Sequence, residues 1–212
     1  MSSLPEPRST SLLDVVPVLP VVVIDRLEDA VPVARALVAG GLPAIELTLR
    51  TPVALDAIRA IADDVPEILV GAGTVVTPGQ AKEALDAGAR FLVSPGATPT
   101  LLAAMADTGL PFLPGTATVS EALAVLEAGF TEMKFFPAEA SGGAAYLKSV
   151  ASPVPAARFC PTGGITATTA ADYLALPNVG CVGGSWLTPP AVLEAGDWAR
   201  VESLARAAAD LR

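Results

Sequence analysis

Apolar, β-branched runs recur along this chain at a steady spacing. They begin near Val18, Ala44, Glu67, Phe91, Pro111, Glu132, Arg158 and Val179, so successive starts lie 20 to 26 residues apart. Between them, segments 27–39, 52–63, 78–87, 99–107 and 120–128 are rich in Ala and Leu, with apolar residues three and four apart. That is the period of a helix packed by one face. Helix starts are signalled at Thr51-Pro52, Thr77-Pro78, Thr98-Pro99 and Ser120 followed by Glu121. Glycines close several of these segments, at Gly40-Gly41, Gly88, Gly109 and Gly129. Eight strand–helix units predict an α/β chain folded as a compact (β/α)8 TIM barrel, one domain spanning 1–212. An open doubly wound sheet would want a Gly-x-Gly-x-x-Gly turn after the first strand, whereas the chain reads Asp25-Arg26-Leu27 after Ile24. Residues 9–16 predict a short leading helix, and 1–10 are expected to be flexible. The last helix falls within 189–212, interrupted around Gly196-Asp197.

Composition narrows the class. A chain of 212 residues suits one domain with a substantial core. Its net charge of −9 disfavours non-specific contact with nucleic acid or an anionic membrane. An anionic ligand needs a locally built pocket against that field. No run approaches the roughly 18 apolar residues of a membrane span, and the polar, Pro-rich start lacks the apolar core of a signal peptide. Cys160 and Cys181 lie in buried-looking strands, which points to a reduced, cytoplasmic chain. The sequence has no histidine. His-based triads, His-ligated zinc and imidazole bases are thereby removed, leaving carboxylate, lysine, tyrosine, cysteine or water to move protons.

Two residues sit where a bland reading is strained. Lys134 lies inside the apolar run Met133-Lys134-Phe135-Phe136-Pro137, while the other lysines, Lys82 and Lys148, fall in polar, helix-like segments. Desolvation disfavours an ammonium and favours the neutral amine that attacks a carbonyl to form a Schiff base. The alternative is a buried stem whose head snorkels to solvent. In Ile45-Glu46-Leu47-Thr48-Leu49-Arg50, strand alternation puts Glu46, Thr48 and Arg50 on one face. The apolar face must meet the helices, which turns the polar one inward. A Glu46–Arg50 ion pair that merely fills the barrel is the structural alternative, but such pairs seldom add net stability over apolar packing.

The later strands end in glycine. Thr162-Gly163-Gly164 closes the seventh and Gly183-Gly184-Ser185 the eighth, where this fold usually binds phosphate through backbone N–H groups. Glycines also serve as plain turn residues. Gly71-Ala72-Gly73-Thr74 ends the third strand as another close-approach turn, and Ser94-Pro95-Gly96 ends the fourth.

Six ordered blocks carry a resemblance: Glu46 to Thr51, Val70 to Thr74, Ser94 to Gly96, Lys134 to Glu139, Arg158 to Ile165, and Gly183 to Trp186. Over nearly its whole length the chain resembles the class I aldolases of 2-keto-3-deoxy-6-phosphogluconate (KDPG), including members that also act on 4-hydroxy-2-oxoglutarate (KHG). The resemblance implies a carbon–carbon lyase of the Entner–Doudoroff pathway, with Lys134 as the Schiff-base lysine and Glu46 as general acid/base. It implies Arg50, Thr74 and Thr162 at the pyruvyl end, and Gly163, Gly164, Gly184 and Ser185 at the phosphate. Pro95 and Phe136 complete the substrate site. It implies no metal, no cofactor, a phosphorylated keto-acid as substrate, and a cytoplasmic homotrimer. A same-mechanism aldolase preferring KHG or the galactonate-derived epimer is the nearest alternative. More distant are a sugar-phosphate isomerase or epimerase, whose metal-dependent forms need histidine, and a non-catalytic sensor, which leaves the buried amine unexplained.

Overall fold

The computed structural model describes residues 11–211, so the flexible segment expected over 1–10 lies outside the described residues. Of the leading helix expected over 9–16, the described part is a single 3-10 turn, Leu12–Asp14, capped by the Ser11 hydroxyl. The strands are β1 (Val18–Val22), β2 (Ala44–Thr48), β3 (Leu69–Gly73), β4 (Leu92–Val93), β5 (Phe112–Leu113), β6 (Gly115–Thr116), β7 (Glu132–Phe135), β8 (Arg158–Pro161) and β9 (Val182–Gly184). Each expected start carries a strand within three residues. The extra strand arises because Pro114, which has no N–H to give, splits the fifth run into β5 and β6.

Every pairing is parallel. One sheet has the order β5-β4-β3-β2-β1-β9 and the other β6-β7-β8, with bridges Phe159↔Val179 and Thr162↔Gly183 between the β8 and β9 segments. All strands therefore point their C-terminal ends the same way. Strands β1 and β2 are buried along their whole length, as expected of parallel strands covered on both faces.

The helices are α1 (Ala30–Ala39), α2 (Ala54–Asp64), α3 (Pro78–Asp86), α4 (Pro99–Asp107), α5 (Val119–Glu127), α6 (Gly143–Val150), α7 (Ala170–Leu174), α8 (Pro190–Glu194) and α9 (Trp198–Ala209). A 3-10 turn, Leu27–Asp29, leads into α1, and Gly196 at φ 63° separates α8 from α9 where the interruption was expected. Helix α2 shows how the packing works. It buries Ala54, Ala57, Ile58 and Ile61, the i, i+3, i+4, i+7 stripe, in the same apolar cluster as Ile45 and Leu47. Each such Ile or Leu contributes about 1.5–3 kcal/mol on burial.

Thr77 and Thr98 cap α3 and α4 as the sequence predicts. Helix α5 is capped by Thr118 instead of Ser120. The Glu121 N–H donates to the Thr118 hydroxyl at 3.2 Å, and the Thr118 N–H donates to the Glu121 carboxylate at 2.8 Å. Helix α2 starts later than Thr51-Pro52 suggests, because the Thr51 hydroxyl donates to the Ile24 carbonyl at 2.6 Å. Among the described residues, no helix is long and apolar enough to cross a membrane.

Candidate active site

Strands β2 and β7 belong to different sheets and are not neighbours, yet two of their side chains meet. Lys134 Nζ lies 3.2 Å from Glu46 Oε1, with the two side chains 5% and 1% exposed. The carboxylate missing from the sequence around Lys134 thus comes from a strand 88 residues away. The snorkelling alternative falls, since the amine ends on a buried acid and not in solvent. The Glu46–Arg50 pair does not form either. Strand β2 stops at Thr48, and Arg50 turns out to an exposed position where its Nε donates to Thr74 Oγ1 at 3.2 Å.

Glu46 keeps one oxygen unused: Oε2 is buried and accepts no hydrogen bond from the described residues. An unpaired buried acceptor costs about 1–3 kcal/mol, so this oxygen marks a place where the fold itself supplies no partner. Its placement depends on a bare backbone beside it. A Cβ on Gly73 would stand 2.2 Å from Glu46 Oε1 and 2.5 Å from its Cγ. Gly73→Ala is therefore expected to push the carboxylate aside and lower turnover about a hundredfold, the scale of an ångström-level misplacement. Steady-state kinetics on a folded variant checks this, and unchanged kcat would show that the position of Glu46 is not critical. The next residue, Thr74, holds φ at 58°, a left-handed conformation that strains a β-branched side chain and clusters at functional sites.

The other inward polar groups are tied to backbone. Thr48 Oγ1 donates to the Val22 carbonyl at 3.2 Å, Thr116 Oγ1 to the Lys134 carbonyl at 3.3 Å, and the Gly115 N–H donates to Ser94 Oγ at 3.2 Å. Among the described residues, Lys134–Glu46 is the one ion pair with both side chains buried. Pro95 is half-buried, and its carbonyl lies against Gly115, the residue paired with Lys134.

Phe136 links the pair to the glycine loop. Its ring centroid is 5.2 Å from Lys134 Nζ, and the same ring is 3.3 Å from where a Cβ on Gly163 would stand. Buried Thr162 bridges to Gly183, with its Oγ1 against that glycine. The Gly163 and Gly164 N–H groups donate to no group among the described residues. Gly164 has φ 83°, so a side chain there is strained before any ligand arrives, and its substitution cannot isolate phosphate binding. Gly184 ends β9 and Ser185 follows it at an exposed position, lining a cleft with Asp25 and Thr188. Thus Glu46, Lys134, Phe136, Thr162, Gly163 and Gly164 form one contiguous run of contacts, with Arg50 and Thr74 joined to it beside Gly73. Ser185 stands further out on the rim.

The parallel strands thus carry a buried amine against a carboxylate in their interior. The chain belongs to the KDPG and KHG aldolase family, whose model matches residues 10–204. It is 54% identical over 200 residues to the KHG/KDPG aldolase of Escherichia coli (strain K12), covering 94% of each chain. It is also similar to the crystal structure of the Legionella pneumophila KDPG aldolase, which holds pyruvate captured at low pH as a covalent carbinolamine intermediate. That likeness has a TM-score of 0.91 at 47% identity, over 93% of this chain and 96% of the other. The Zymomonas mobilis ZM4 aldolase with 3-phosphoglycerate gives a TM-score of 0.90 at 46% identity, over 94% of both chains.

Proposed function

We propose that this chain is a Schiff-base aldolase that cleaves KDPG to pyruvate and glyceraldehyde 3-phosphate. The observation that carries the reading is the buried Lys134–Glu46 contact at 3.2 Å, with the second Glu46 oxygen left over. Lys134 as the neutral amine adds to the C2 ketone, and loss of water gives an iminium. That cation accepts the electron pair of the C3–C4 bond as Glu46, directly or through a water, removes the C4 hydroxyl proton. The aldehyde leaves, and the remaining enamine is protonated at C3 and hydrolysed to pyruvate and free Lys134.

Arg50 beside Thr74 fits the substrate carboxylate at the rim, because a guanidinium takes a carboxylate bidentately. Thr162, Pro95 and Phe136 shape the pyruvyl cavity. Gly163, Gly164, Gly184 and Ser185 receive the phosphate through N–H and hydroxyl donors. No step needs a metal or a cofactor. The same reading takes the chain as one domain, a closed (β/α)8 barrel with β5 and β6 counted as one strand, acting as a cytoplasmic homotrimer. The bridges from β8 to β9 support the closure, and the family resemblance supports the rest.

The double name of the Escherichia coli relative favours KHG as a second substrate. A panel of KDPG, its galactonate-derived epimer and KHG, assayed by pyruvate release in the presence of a chelator, tests the reading. We expect the highest kcat/KM for KDPG and measurable turnover of KHG. Preference for the epimer, or a rate lost on chelation and restored by a divalent ion, would contradict it.

A further inference from the structure

Beside the glycine loop stands an acid that the proposed chemistry does not use. Glu139 opens a 3-10 turn (Glu139–Ser141) just after β7 and touches the loop in two ways. Its N–H donates to the Gly163 carbonyl at 3.1 Å, one residue after the Ala138 N–H donates to the Thr162 carbonyl at 2.8 Å. Its side chain covers the next residue, since a Cβ on Gly164 would stand 2.8 Å from Glu139 Cβ and 2.7 Å from Cγ. A trans peptide is planar, with its C=O and N–H pointing opposite ways. Carbonyls of Thr162 and Gly163 turned toward the Ala138 and Glu139 N–H groups therefore send the Gly163 and Gly164 N–H groups to the other side.

The carboxylate itself is held. Tyr173 on α7 is almost completely buried, 1% exposed, and its hydroxyl donates to Glu139 Oε1 at 2.5 Å. Burial first, and then the hydrogen bond and charge of Glu139, push the phenol above the usual tyrosine range, against a smaller opposing effect of the Ala144 N–H. The phenol thus stays a donor. Helix α7 follows the glycine loop in sequence, so this one bond ties the segments on both sides of the loop together. It also fixes a negative charge that would otherwise swing near an anion.

We propose that Glu139, locked by Tyr173, is a positioning residue that aims the Gly163 and Gly164 N–H groups at the substrate phosphate. The pair thereby sets the preference for phosphorylated over unphosphorylated keto-acids. This inference rests on the reading that the glycine loop takes the phosphate.

The test compares full-length parent, Tyr173→Phe, Glu139→Ala and Glu139→Gln on KDPG and on KHG, which has no phosphate. Tyr173→Phe keeps the buried ring, so folding is preserved, and Gln can still accept from the tyrosine. Tyr173→Phe and Glu139→Ala are expected to raise KM for KDPG about tenfold, with kcat and the KM for KHG changed less than about twofold. Glu139→Gln should stay near the parent on both. Equal losses on the two substrates would assign the pair a general structural role, and unshifted constants would remove it from phosphate recognition. Either outcome overturns the inference alone, provided the parent turns over KDPG. A parent inactive on KDPG would overturn the functional reading and this inference with it.

Discussion

Lys134→Arg is expected to fold and to show no measurable aldolase turnover. Arginine places a guanidinium next to Glu46, so the buried carboxylate keeps a hydrogen-bonding partner. A guanidinium stays protonated at any working pH and has no free amine to add to a ketone. The loss should therefore reach the limit of detection while thermal unfolding stays close to the parent's. Lys134→Ala is a poorer probe. It would strand Glu46, and removing one member of a buried pair costs about 3–5 kcal/mol. Activity in Lys134→Arg, measured by pyruvate release, would rule out iminium chemistry at this position.

Glu46→Gln is expected to lower kcat by about 10²–10⁴-fold, the usual worth of a positioned acid/base. The amide keeps the shape of the carboxylate and can accept from Lys134 through its oxygen, but it cannot take the C4 hydroxyl proton. Condensation of Lys134 with pyruvate should persist at a reduced rate, so the variant separates proton transfer from imine formation. Near-parental kcat would return Glu46 to a structural role as the counter-charge of Lys134.

Much of this arrangement is legible before any coordinates, because parallel strands and their helices impose two distinct periods on the sequence. The inward turn of Glu46 follows from alternation with Ile45 and Leu47, both fully buried. The same alternation turns Lys134 away from Met133 and Phe135, so Lys134 and Glu46 are expected to look into one cavity, and they do. The 3.2 Å contact itself does not follow, because β2 and β7 approach only when the sheets curl, and nothing local to either segment records the distance. Arg50 shows where alternation stops. The strand ends at Thr48, the backbone turns with the Arg50 N–H donating to the Thr48 carbonyl at 2.8 Å, and the guanidinium leaves the interior.

Gly73 reads in the sequence as a turn residue, whereas the structure shows it making room for Glu46. Ser120 looked like a cap, but Thr118 reaches the same Glu121 N–H from outside the helix. Tyr173 gave no signal at all. A single tyrosine in a five-residue helix looks like ordinary core, and only its hydroxyl on Glu139 sets it apart.

The central claim is that Lys134 becomes covalently bonded to the keto-acid. Borohydride added in the presence of pyruvate should reduce the iminium to a stable secondary amine and inactivate the enzyme irreversibly. Borohydride without pyruvate should leave it active. Lys82, exposed and paired with Asp86 at 2.6 Å, and Lys148, exposed on α6, are the internal controls. Peptide mapping should place the added mass on the peptide containing Met133-Lys134-Phe135 and leave those of Lys82 and Lys148 unlabelled. A label on either control lysine, or full activity after treatment with pyruvate and borohydride, would contradict the Schiff-base account.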